Sequence, residues 1–168
     1  MDRATNIVLI GMPAVGKSTV GVLLAKATGR GFVDTDVLLQ TRYDRTLQEM
    51  IDTDGLEAFC RTEERAILGL AISACVVASG GSVVYSPAAM AHLADGGVIV
   101  HLDEEMEVLR RRLSDLATRG VVMARGQDLA ELYRSRQPLY RRYAQVTIHC
   151  AGRTQDRIAA EIVAALGG

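Results

Sequence analysis

The sequence predicts an α/β fold, a parallel sheet with helices on both faces, in one domain spanning residues 1–168. Short apolar runs such as Ile7–Ile10, Cys75–Ala78 and Val98–Leu102 alternate with longer stretches of helical period. Glycine, serine or aspartate closes these runs, as where a strand feeds a loop. A length of 168 residues suits one domain with a core large enough to need no staples.

Ile7–Ile10, closed by Gly11, is the first buried strand. From Ser18 to Thr28 the pattern turns helical, with Val20, Leu23, Leu24 and Ala27 on one face and Gly29 as the stop. Phe32–Val33 is a short strand running into Asp34-Thr35-Asp36. The segment from Val37 to Leu70 reads as mostly helical, broken near Asp52–Gly55. Cys75–Ala78 is the third strand, ended by Ser79-Gly80-Gly81. Ser86-Pro87 opens a helix, serine as cap and proline in the first turn. Val98–Leu102 is the fourth strand, with Asp103 expected to cap the next helix. That helix carries Met106, Leu109, Leu113 and Leu116 along one face. The stretch 117–127 is the least regular and is expected to form a mobile lid. A helix over Asp128–Arg136, a fifth strand at Val146–Ile148 and a final helix over Gln155–Leu166 complete the chain.

Composition narrows the function. Nineteen Lys and Arg against twenty Asp and Glu give a net charge of -1, which argues against bulk nucleic-acid binding. Hydrophobic residues at 49% and charged residues at 23% exclude a disordered chain. Cys60, Cys75 and Cys150 are odd in number and widely spaced, neither a disulfide framework nor a zinc knuckle. The first apolar run is too short for a signal peptide or membrane span, so a cytoplasmic protein without a membrane partner is expected.

Gly11-Met-Pro-Ala-Val-Gly16-Lys17-Ser18 matches G-x-x-x-x-G-K-[ST], with a strand before it and an amphipathic helix after it. The spacing lets backbone N–H groups and a helix N-terminus converge on phosphate oxygens. Lys17 then reaches the terminal phosphates, and the Ser18 hydroxyl faces Mg²⁺. No N/T-K-x-D segment is present to read guanine. Asp34 and Asp36 follow the second strand, where open α/β sheets bind ligands. One can serve the Mg²⁺ shell and the other a reacting hydroxyl; a solvated turn with an N-cap is the plainer reading. Gly80 and Gly81 allow close approach to the backbone. Arg136 lies seven residues after Leu129, four after Leu132 and three after Tyr133, so its guanidinium falls on an apolar face. A cation there needs a carboxylate, from the protein or from a small organic acid.

In this order, GMPAVGKST, DTD, GLEAFCRTEE, SGGSVVYSP, Arg119 and RQPLYRRYA resemble the shikimate kinase family over nearly the whole chain. The resemblance implies a P-loop fold with a five-stranded parallel sheet and ATP-dependent phosphorylation of the 3-hydroxyl of shikimate, with Mg²⁺. It places Gly11, Ala14, Gly16, Lys17, Ser18 and Thr19 around the phosphates, with Ser18 and Asp34 at the metal. It places Asp36 at the acceptor hydroxyl, Gly80 and Gly81 along its site, and Arg136 on the substrate carboxylate. Arg119 in the lid neutralises the transferring group. Arg111, with Arg112 as the alternative, stacks on adenine, and Arg153 contacts the same base. A monomer acting on a small hydroxy acid is expected. The alternatives are a kinase of another sugar acid such as gluconate, and a nucleotide-binding paralogue without turnover.

The chain departs from the family pattern in several places. Ala14 replaces a glycine, Val15 a small polar residue, and Ser82 ends a glycine run. The lid reads Arg119-Gly120-Val121-Val122 rather than R-P-L-L. The family's E-x-x-F-R-x-x-E fits in two registers. Aligned on Phe59, it puts Cys60 at the arginine and Leu56 at the first acid. Aligned on Glu57, Arg61 and Glu64, it makes Arg61 a substrate-binding residue. One residue of slip turns a helix by about 100°, and the sequence leaves both registers open.

Overall fold

A computed structural model of the chain describes residues 2, 4–114 and 128–167. The lid segment 117–127, with Arg119, lies outside them. The described strands are β1 (Asn6–Ile10), β2 (Gly31–Asp34), β3 (Cys75–Ala78), β4 (Gly97–Asp103) and β5 (Val146–His149). They form one all-parallel sheet in the order β2-β3-β1-β4-β5. The run NIVLI is buried at every position, as a central strand covered on both faces requires. β2 lies at an edge, its first residue exposed and the rest half-buried.

Helix α1 (Lys17–Thr28) ends where Gly29 turns left-handed and returns its N–H to the Ala25 carbonyl. The helical stretch expected from Val37 to Leu70 is divided into α2 (Thr35–Tyr43), α3 (Leu47–Asp54) and α4 (Leu56–Leu68). Local chemistry sets each break. Asp34 caps α2 through the N–H groups of Asp36 and Val37, Thr46 and Glu49 form a capping box on α3, and Gly55 at φ 85° separates α3 from α4. Helix α5 (Pro87–Gly96) starts as expected, with the Ser86 hydroxyl accepting from Ala89 N–H.

Asp103 does not cap the next helix. It is the last residue of β4, its carboxylate accepting from Gln137 and facing His149, and α6 (Met106–Ser114) begins three residues later. Helix α7 opens on a capping box of Asp128 and Glu131 and runs Leu129–Tyr143, past its expected end at Arg136. Pro138 removes one intrahelical hydrogen bond, but buried Gln137 and Tyr140 hold the helix on the core through that turn. α8 (Gln155–Ala165) closes the fold against α1. α1 packs on α8 and α4 on α5; with this strand order, the right-handed crossover rule for parallel units assigns the two pairs to opposite faces of the sheet. Among the described residues, no helix is long and apolar enough to cross a membrane.

The main core surrounds the sheet, and a smaller one of Leu39, Leu47, Met50, Phe59 and Ala66 lies among α2, α3 and α4. Phe59 is fully buried there and sets the rotation of α4. This matters for the site, because the residues after Phe59 are distributed around the helix from that anchor.

Candidate active site

The turn between β1 and α1 is held from within. Lys17 Nζ donates to the carbonyls of Gly11 (2.8 Å) and Met12 (3.0 Å), drawing the loop around the ammonium. Gly16 sits at φ 105°, a conformation open to glycine and strained for other residues. Ala14 takes φ 62°, where a side chain costs about 1–2 kcal/mol. A cavity of about 230 Å³ opens above the loop. Ala14, Gly16, Lys17, Ser18 and Thr19 line it from the loop and α1, Asp34 from the end of β2 and Asp36 from the first turn of α2. The expected phosphate-side residues are therefore together, apart from Gly11, which lies under the loop as a carbonyl partner of Lys17. Burial pulls the Lys17 ammonium down to about 8, against the attraction of Asp36. An anion in the cavity would push it back up.

Asp34 is both a helix cap and a residue of the cavity wall. One oxygen caps α2, and the carboxylate still borders the cavity opposite Ser18. Serine and carboxylate oxygens are the hard donors that Mg²⁺ takes, so these residues fit that ion. Asp36, in the first turn of α2, borders the same cavity. Burial raises its carboxyl to about 6 and Asp34 adds to this, while Lys17 and Arg136 oppose it. Its Oδ1 is buried without a hydrogen-bond partner.

The turn after β3 forms the floor beside Asp36. Gly80 N–H donates to the buried Thr35 hydroxyl at 2.9 Å. A Cβ on Gly80 would collide with Glu63 Oε1 and come within 2.9 Å of Asp36 Oδ1, so a side chain there would displace both carboxylates. Glu63 was not found by the sequence reading. It is 2% exposed; its Oε2 accepts from the Ser82 hydroxyl at 2.7 Å, and its Oε1 is buried without a hydrogen-bond partner. Burial raises its carboxyl to about 7. Two partnerless carboxyl oxygens thus converge over one glycine.

Arg136 closes the far wall. It is 1% exposed, its Nε donates to the Tyr85 hydroxyl at 3.3 Å, and its guanidinium carbon lies 5.2 Å from the centre of the Tyr85 ring. Nη1 would lie 3.0 Å from a Cβ on Gly81, which places the cation against that turn. Tyr140, one helical turn on, donates its hydroxyl to the Gly81 carbonyl at 2.8 Å and fixes the turn's position.

Three expected residues do not reach the cleft as read. Arg61 is exposed and ion-paired with still more exposed Glu57, the i, i+4 arrangement of a solvated helix face, and the pair meets only the outer rim of a second cavity of about 170 Å³ lined by Cys60, Glu63, Ser82 and Tyr85. With Phe59 in the core, Arg61 is rotated about 200° away and Glu63 only about 40°, which selects the Phe59 register. Cys60, half-buried and within the influence of Glu63 and Arg136, stands on the cleft side. Arg111 is exposed, whereas Arg112 lines the cavity. Arg153 is turned to Glu161 and the His149 carbonyl, and it is Gln155 that borders the cavity from this part of the chain.

The shikimate kinase family model matches residues 13–167 of the chain. A shikimate kinase of Mycobacterium bovis is 37% identical over 168 residues, covering 97% of this chain and 94% of that protein. One from Thiobacillus denitrificans is 36% identical over 155 residues, covering 90% and 84%. The structure of a shikimate kinase from Acinetobacter baumannii in complex with shikimate superposes with a TM-score of 0.90 at 28% identity, covering 97% of this chain and 93% of that one.

Proposed function

The chain belongs to the shikimate kinase family, and from that premise we propose that it transfers the γ-phosphoryl group of ATP to the 3-hydroxyl of shikimate. The observation that carries the reading is the placement of Asp36, between the Lys17 cavity and the Arg136 wall.

In this mechanism Lys17 and the loop amides hold the triphosphate. Arg136 grips the acceptor carboxylate from beside Gly81, with Tyr85 fixing the plane of its guanidinium. The acceptor hydroxyl then lies against Asp36. Its oxygen attacks the γ-phosphorus, the bond to the β-phosphate oxygen breaks, and the proton passes to Asp36 as ADP leaves. A carboxyl raised to about 6 is still largely ionised near pH 7 and is a stronger base than an ordinary aspartate. Glu63, hydrogen-bonded to Ser82, borders the same acceptor space and keeps a polar group facing the substrate ring. Mg²⁺, when bound at Ser18 and Asp34, supplies charge neutralisation on the phosphates. Arg119, from the segment outside the described residues, is assigned the charge on the transferring group. The protein works as a cytoplasmic monomer.

ADP release tested with shikimate, quinate and gluconate checks the assignment. Turnover is expected with shikimate well above the rate with gluconate. Shikimate at millimolar concentration that leaves ADP release at background refutes it.

A further inference from the structure

The nucleotide loop is gripped by a pair of charged side chains, Arg112 at the cavity wall and Glu104 behind it. Arg112, on α6, donates through Nη1 to two successive loop carbonyls, Ala14 and Val15, at 3.3 Å each. Its Nη2 pairs with Glu104 Oε2 at 3.1 Å. Glu104 follows β4 directly, and its side chain is only 1% exposed. Its second oxygen accepts from the Glu105 N–H, so the carboxylate is anchored at both ends. The Arg112 side chain is 35% exposed, but a buried carboxylate is costly to leave without its partner, so Glu104 holds the guanidinium against the loop.

The pair meets the loop at its strained residue. Ala14 has φ 62°, and its carbonyl is one of the two that Arg112 holds. Planarity of the next peptide ties the direction of the Gly16 N–H to the Val15 carbonyl, so a guanidinium on that oxygen turns the amide away from itself. We propose that Glu104 and Arg112 form a latch that holds the phosphate loop in its binding shape and offsets the strain of Ala14, so that Glu104 is a positioning residue for nucleotide. The inference rests on the nucleotide reading of this loop.

The two residues are coupled in a way that plain fold stability would not produce. Without the latch, the loop relaxes toward conformations that Ala14 prefers, and nucleotide binding must restore the left-handed turn. A glycine at position 14 removes that penalty, and it does so most where the latch is missing.

The test is ADP affinity by titration calorimetry on the full chain, with KM for ATP and for the acceptor measured alongside. Glu104→Gln is the primary variant, because it weakens the pair without stranding a buried charge. It is expected to raise the ADP Kd and the ATP KM about five- to tenfold, with a smaller change in acceptor KM. Adding Ala14→Gly should recover most of that loss, and improve affinity more in the Glu104→Gln background than in the native chain. Should Glu104→Gln fail to fold, the double variant Glu104→Gln, Arg112→Met removes both charges together and carries the same expectation for Ala14→Gly. ADP binding that is unchanged or tighter in the variant overturns the latch, as does an Ala14→Gly effect equal in both backgrounds. A native chain that does not bind ADP overturns the nucleotide reading and the latch with it.

Discussion

At the phosphate end of the cleft, half of the lining comes from one short stretch, Ala14–Thr19, between a buried strand and the first turn of a helix, with Asp34, Arg112 and Gln155 added around it. At the acceptor end the lining comes from α2, α4, the turn after β3 and α7, segments separated by up to a hundred residues. The first end is made largely of backbone, so its form follows from residue spacing and a few glycines. The second is made of side chains, so it depends on how each helix is rotated against the core. A change of one side chain should therefore be felt more selectively at the acceptor end.

The largest effect is expected where the two ends meet. Asp36→Asn should lower kcat by about 10²–10⁴ while changing the ADP Kd little. Retained turnover would remove Asp36 from the chemistry and leave the two ends without a junction. Next is Arg136→Lys, which keeps the charge but loses the planar fork and the contact with Tyr85. The acceptor KM should rise about ten- to a hundredfold, with a much smaller change for ATP. An equal loss for both substrates would break the division between the ends.

Glu63 sharpens the contrast through stability. Its carboxyl titrates near 7 in the folded protein against an ordinary value of 4.5, so the native state alone holds this proton between those values. Native stability from this group is therefore greatest below about 4.5 and is lost as the pH rises toward 7. Glu63→Gln should raise stability at pH 8 by about 1–3 kcal/mol, a gain that fades near pH 4.5, as read by urea denaturation at both pH values. A gain of the same size at both would assign the effect to packing. The smallest effect belongs to Arg61→Ala, expected to leave the acceptor KM within about twofold and stability within about 0.5 kcal/mol. A loss like that of Arg136→Lys would restore the rejected register of α4.

The same contrast explains how much could be read beforehand. The five strands, the phosphate loop, Asp34, Asp36 and the glycine turn all follow from local spacing, and the structure brings them to one end of the sheet. Arg136 was legible because Leu129, Leu132 and Tyr133 mark the buried stripe on which it falls. An equivalent stripe was present on α4: Phe59, Glu63, Ala66 and Ile67 recur at helical spacing and are all buried. Followed through, it would have marked Glu63 as a buried acid. The charged Glu57 and Arg61 drew attention to the solvated face instead. Arg112 was harder to separate from Arg110 and Arg111, since three adjacent arginines point in three directions and only the strand ahead of them decides which meets the loop. The helix expected to end at Arg136 runs on to Tyr143 because tertiary packing outweighs the one hydrogen bond that Pro138 removes.

The strand order has one more consequence. β1, which presents the phosphate loop, has a neighbour on each side, whereas β2, which leads directly into α2 and Asp36, is bounded by solvent along one margin. Loosening the central strand would unzip two ladders, while a shift of the outer one disturbs a single ladder. Evolution or an engineer could therefore retool acceptor preference by remodelling the rim of the sheet, leaving the machinery that handles the energy donor where it is.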